Sequence, residues 1–177
     1  MAVPSPTLSN RSSDSMTPAA SPLFLREHEV RRGVELLFFG YTRLTRSIDQ
    51  GLAEHGLGRA HHRALYFIAR QPELTISGLL KILAITKQSL GRVLNDLTKL
   101  GLIETRAGEV DRRQKLLKLT PQGVEFEAKL FDSLRNNLGA AYGAAGQESV
   151  TGFWRVLEGL IPPEDRLMVA ALQKDIR

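Results

Sequence analysis

A chain of 177 residues with 42% hydrophobic content can bury one core and carry helical extensions. No apolar run reaches the ~20 residues a membrane-spanning helix needs, so no membrane role is expected. Cysteine is absent, which removes disulfides, zinc–thiolate sites and thiol redox sensing and suits a cytoplasmic protein. The net charge is +5, and it is concentrated: Thr75 to Leu119 holds nine cations (Lys81, Lys87, Arg92, Lys99, Arg106, Arg112, Arg113, Lys115, Lys118) against Asp96, Glu104, Glu109 and Asp111. That local surplus equals the net charge of the whole chain, and a field gathered in one segment points to a polyanionic partner.

Residues 1–22 contain four of the eight prolines and six serines, too little apolar density to fold, and are expected to be disordered. They lack the basic start and apolar core of a secretory signal. A long helix is predicted from about Leu25 to Leu52. Its seam is Val30, Val34, Leu37, Tyr41, Leu44 and Ile48, and Leu23, Phe24, Leu25, Phe38 and Phe39 widen the apolar surface. The seam fits an internal core and a partner chain equally well. Gly56 and Gly58 break the chain, and a second helix spans about Arg59 to Arg70 until Gln71-Pro72 stops it.

Two short helices follow. Thr75 caps the first, with Ile76, Leu79, Leu80 and Leu83 inward, and Thr86 caps the second, from Lys87 to Leu100. Leu90, Val93, Leu94, Leu97 and Leu100 face inward there, and Gly101 ends it. Ile103–Arg106 and Lys115–Leu119 form a hairpin with a basic tip. Helix, turn, helix and hairpin make the sequence form of a winged helix-turn-helix, whose second helix enters the DNA major groove. Thr120-Pro121 then opens a helix to about Ala145, with a stripe from Val124 through Phe131 to Tyr142. Glu148–Ile161 and Glu164–Lys174 close the chain as two further helices.

Opposite the leucines of the Lys87 helix, Gln88, Arg92, Asn95 and Lys99 are spaced on one polar stripe. Any amphipathic helix shows such a face; its place between a capped helix and a basic hairpin favours base contact by Gln88 and Arg92, which suit adenine and guanine. Thr86, Lys87 and Ser89 at the helix start, and Thr75 and Ser77 at the start of the preceding helix, suit phosphates. Nothing suggests an enzyme: there is no G-x-S-x-G, no phosphate loop, no cysteine and no paired-carboxylate cleft. His28, His55, His61 and His62 show no ligand spacing, so neither metal nor cofactor is expected.

The run Asp111-Arg112-Arg113, then Leu117-Lys118-Leu119-Thr120 and Gly123, matches the D-x-R-x-x-x-L-x-L-T wing signature and its following glycine. On these residues the chain resembles the MarR family of bacterial transcriptional regulators. ITKQSLGRV, with AHHRAL upstream, is also similar to a PetP-like alphaproteobacterial branch of that family. The resemblance implies a mainly α fold with a small β-hairpin wing. It divides the chain into a tail (1–22), an N-terminal dimerisation helix (23–56), a winged helix-turn-helix (57–120) and C-terminal dimerisation helices (121–177).

The resemblance further implies a cytoplasmic homodimeric repressor on a pseudo-palindromic double-stranded operator. A wing arginine, Arg112 or Arg113, enters the minor groove while Asp111 holds it by a salt bridge. A pocket between dimer helices and DNA-binding lobe takes a small aromatic or anionic effector. Phe38, Tyr41, Arg59, His61 and His62 are its candidates by position, although the two adjacent histidines cannot face the same way and serve equally as packing residues. Two other readings stay open: a winged helix for protein–protein contact, against which the basic stripe weighs, and a DNA binder without a ligand.

Overall fold

The structure, a computed structural model, describes residues 26–108 and 112–173. The chain divides into two compact units, one ending at Phe39 and the other beginning at Gly40. Helix α1 (Glu27–Arg46) runs through that boundary. Its first turn carries Glu27 and Glu29 and its last Arg43 and Arg46, each favourable at its end of the helix dipole. In the first unit Val34, Phe38 and Phe39 are exposed, and the two phenylalanines meet edge to face at 5.3 Å.

The expected continuous helix to Leu52 is interrupted after Arg46. The Thr45 hydroxyl donates to the Tyr41 carbonyl at 3.0 Å and the Ser47 hydroxyl to the Leu44 carbonyl at 2.7 Å. Such local bonds compete with the helical ladder. The chain resumes as α2 (Asp49–Ala53), which sinks Ile48 and Leu52 into the core at 1% exposure each. Gly56 takes a positive φ of 66°, and α3 (Arg59–Arg70) begins after Gly58 with Ala64, Leu65 and Ile68 buried.

Strand β1 (Leu74–Thr75) precedes α4 (Ile76–Leu83), capped by the Thr75 hydroxyl, which accepts from the Gly78 amide at 3.0 Å. Ala84, left-handed at φ 49°, turns the chain into α5 (Lys87–Lys99). Leu90, Val93 and Leu97 of α5 are buried, whereas Leu100, expected inward, is the C-cap and 39% exposed. Strands β2 (Ile103–Ala107) and β3 (Lys115–Leu119) form the hairpin, and Gly108 donates to the Gln114 carbonyl at 2.9 Å inside its loop. The sheet order is β1-β3-β2, all antiparallel, with Leu74 opposite Leu117 and Ile103 opposite Leu119. The two-residue β1 has no counterpart in the sequence pattern, because two residues carry no alternation.

Thr120 is the single residue between β3 and α6 (Pro121–Ala145). Its amide donates to the Leu102 carbonyl at 3.1 Å, its hydroxyl to the Gly101 carbonyl at 2.6 Å, and the same hydroxyl accepts from the Gly123 amide at 3.0 Å. The wing signature therefore ends in a joint that ties α6 to the start of the hairpin. Gly146 ends α6, and α7 (Gln147–Leu160) and α8 (Pro163–Gln173) follow. The core gathers around α3, α4, α5 and β3, where Leu65, Leu79, Leu97 and Leu117 are fully enclosed. Among the described residues no helix is long and apolar enough to cross a membrane.

Candidate nucleic-acid interface

The leucine face of α5 anchors it, so its opposite face is presented outward. Lys87, Gln88, Ser89, Arg92, Asn95 and Lys99 are all exposed. The Thr86 hydroxyl accepts from the Ser89 amide at 3.1 Å and donates to the Ser89 hydroxyl at 2.9 Å. That capping fixes the first turn of α5, where the remaining amides have no partner within the helix.

A cleft of about 290 Å³ joins the start of α4 to the base of the wing. Thr75, Ser77, Arg113 and Lys115 line it, so residues distant in sequence meet there. Thr75 is half-buried and committed to its cap; Ser77, 3.2 Å from the Thr75 hydroxyl, is exposed. Arg112 and Arg113 are exposed at the wing, and Asp111 lies outside the described residues. Arg106 on β2 pairs with Glu73 in the turn before β1, bracing the outer strand. All nine cations of this segment are exposed, so the surplus read from sequence is a surface charge.

The candidate pocket residues separate in the structure. Tyr41 and His62 line a cavity of about 500 Å³ whose wall is mostly apolar, shared with Tyr66, Phe131, Arg135 and Tyr142. His62 is 8% exposed and its Nε2 is buried with no hydrogen-bond partner among the described residues. Burial holds its imidazole below the usual histidine range, and the neighbouring Arg63 adds to the effect. Arg59 lies elsewhere, in a two-bond pair with Asp49 at 2.9 and 2.8 Å. The hydrogen bond from Arg59 holds the Asp49 carboxyl below its usual range. His61 accepts from the Gly58 amide on Nδ1 at 3.0 Å and approaches the Asp96 carboxylate with Nε2 at 3.4 Å. Phe38 belongs to the first unit and is 63% exposed.

Sequence reasoning missed Tyr66, Phe131, Arg135 and Tyr142. One signal was available: Tyr66 lies one turn after His62, and Arg135 one turn after Phe131. Among the described residues no group of three or more His, Asp or Glu is placed to hold a metal ion.

A helix-turn-helix with a basic three-stranded wing defines a DNA-binding regulator of the winged-helix class. The family model described as MarR family matches residues 55–114. The chain is 45% identical over 144 residues to the HTH-type transcriptional regulator PetP of Rhodobacter capsulatus, covering 81% of this chain and 87% of that protein. The chain therefore belongs to the MarR family of DNA-binding transcriptional regulators.

Solved structures agree on the fold. A mutant MarR from E. coli complexed with operator DNA matches with a TM-score of 0.61 and 21% identity, over 80% of this chain and 100% of that one. A structure of Bordetella bronchiseptica BpsR, concerned with regulation of its DNA binding by 6-hydroxynicotinic acid, matches with a TM-score of 0.57 and 20% identity. That likeness covers 71% of this chain and 90% of that one.

Proposed function

We propose that the protein is a cytoplasmic homodimeric repressor released from a pseudo-palindromic operator by a small anionic aromatic molecule. In this reading Gln88 and Arg92 read bases, with Asn95 and Lys99 beside them on the same face. Lys87, Ser89 and the α5 amides, with Thr75, Thr86 and Ser77, sit against phosphates, and the wing arginines follow the backbone into the minor groove. Apolar side chains left exposed on α1 (Val34, Phe38) and on α7 and α8 (Val156, Leu160, Leu167) support the partner-chain assignment of the terminal helices.

The observation that carries the effector is the buried, unpartnered Nε2 of His62 in a cavity walled by Tyr41, Tyr66 and Phe131. A buried polar atom without a partner is costly, and a bound carboxylate or phenol would satisfy it while the rings stack on an aromatic ligand. Arg63 and Arg135 on the same wall supply positive charge.

The test has two parts. Footprinting on the DNA upstream of the protein's own reading frame should protect two half-sites about one helical turn (~10 bp) apart. Titrating hydroxybenzoate and hydroxynicotinate isomers into that complex should release it, with release abolished in His62→Leu. A single protected half-site refutes the dimeric reading. Release that survives His62→Leu refutes the cavity as the effector site.

A further inference from the structure

Asp96 is the sole carboxylate on α5 and stands among its cations. Arg92 lies four residues before it and Lys99 three residues after it. Those are the spacings at which a helical carboxylate captures a cation on its own surface. Neither capture occurs: among the described residues no ion pair of Arg92 or Lys99 is found, although Asp96 is 47% exposed. Its Oδ2 instead lies 3.4 Å from Nε2 of His61 on α3.

The other ring nitrogen of His61 explains why that contact has a fixed sense. Nδ1 accepts from the Gly58 amide at 3.0 Å, so in neutral imidazole the proton resides on Nε2, the nitrogen facing Asp96. Position 61 is the third residue of α3, where a side-chain acceptor reaches back to the N-cap amide. Local helix capping thus sets the tautomer, and the tautomer aims a donor at the recognition helix. The His61 side chain is only 16% exposed, which limits competition from water.

We infer that His61 is a positioning residue for DNA binding, holding the Asp96 carboxylate toward α3 and thereby keeping Arg92 and Lys99 available to DNA. The inference rests on the reading of α5 as the DNA-contacting helix. Without His61, Asp96 turns back along α5 and pairs with Arg92, and DNA must break that pair before Arg92 is released. The negative charge then also lies nearer the phosphates.

The experiment measures binding of a fluorescent duplex from the protein's own upstream region, and of a random duplex, by wild type and variants of His61, Asp96 and Arg92, with melting in parallel. His61→Ala should weaken upstream-DNA binding on the order of two- to fivefold, the size of a surface ion pair. Asp96→Asn, which removes the charge, should bind as tightly as wild type or more tightly. The His61→Ala/Asp96→Asn double variant should recover the affinity of Asp96→Asn while keeping the lowered melting point of His61→Ala, because the Gly58 cap stays absent. His61→Glu preserves an acceptor for Gly58 but repels Asp96; it should weaken binding with little drop in melting point and be rescued in the same way. In wild type, imidazole ¹⁵N shifts should show that the neutral His61 ring is the Nε2–H tautomer.

Wild-type affinity in both His61 variants overturns the inference, as does a double variant as weak as His61→Ala, which would make the role purely structural. Arg92→Ala separates this inference from its premise. If Arg92→Ala weakens binding while the His61 variants do not, the positioning role alone fails. If Arg92→Ala also binds like wild type, the α5 reading fails with it.

Discussion

Gly123 sits against the carbonyl of Leu102 so closely that a Cβ built on it would stand 1.9 Å from that oxygen. No side chain fits there, because both partners are backbone. Leu102 O also receives the Thr120 amide, so it is held in place and cannot yield cheaply. The glycine that follows the wing signature is explained by this contact, which lets the first turn of α6 lie on the start of β2.

Gly123→Ala should therefore destabilise the fold by roughly 1–3 kcal/mol, the usual range for overpacking against a rigid neighbour. Urea denaturation checks it: the midpoint should fall with an unchanged slope. A wild-type midpoint would show that the joint opens without cost.

Arg92→Ala should weaken binding to the mapped operator by roughly 1–3 kcal/mol and relax preference at one base pair per half-site. Competition between operator and random duplexes measures it. Equal weakening on both would mean that Arg92 touches phosphate and reads no base.

Arg112→Ala with Arg113→Ala should lower affinity and flatten the dependence of log K on log salt, by about 0.9 for each phosphate no longer neutralised. Both side chains are exposed, so melting should change little. Coincident salt slopes with a much earlier melt would assign the pair a structural role.

Deleting residues 1–22 should leave the oligomeric state unchanged, whereas removing Ser149–Arg177 should give monomers or aggregate. The second cut takes away Phe153, Trp154, Val156, Leu160 and Leu167, all exposed in the single chain. Analytical ultracentrifugation distinguishes the outcomes, and a soluble operator-binding dimer after the second truncation would refute the assignment of these helices.

The folded state keeps His62 neutral below its usual value of 6.5, because charging it means charging a buried ring beside Arg63. The unfolded chain takes up that proton as pH falls through about 6.5 while the folded chain resists, so stability drops on acidification and is unaffected above. The melting-point difference between pH 7.5 and 5.5 should shrink in His62→Leu. An anionic effector should oppose the same drop by favouring the imidazolium. An unchanged difference in His62→Leu would place the acid sensitivity elsewhere.

What is legible in sequence follows from the range of the interactions concerned. Thr75, Thr86 and Thr120 cap the helices their positions predict, because a cap is a bond between near neighbours. The α5 face is legible for the same reason: leucine spacing alone determines which side is outward. The break after Arg46 is hidden, since Thr45 and Ser47 bond to carbonyls without disturbing the apolar period that runs on to Ile48. The cavity is only half legible. It needs α1, α3 and α6 to converge, and nothing local links Tyr41 to Tyr142. Helix geometry separates His61 and His62 in direction, but which of them turns toward the cavity depends on tertiary packing.

The joint at Thr120 has a mechanical consequence. With one residue between wing and helix there is no slack, so a tilt of α6 at this joint is passed directly to the hairpin. The 25 residues of α6 extend about 37 Å at 1.5 Å per residue. A tilt of only about 10° at the joint sweeps the far end through roughly 6 Å, about one helical pitch. In the effector-release reading proposed above, a displacement near Tyr142 reaches the wing as a small rotation, and that rotation takes the hairpin out of line with the groove.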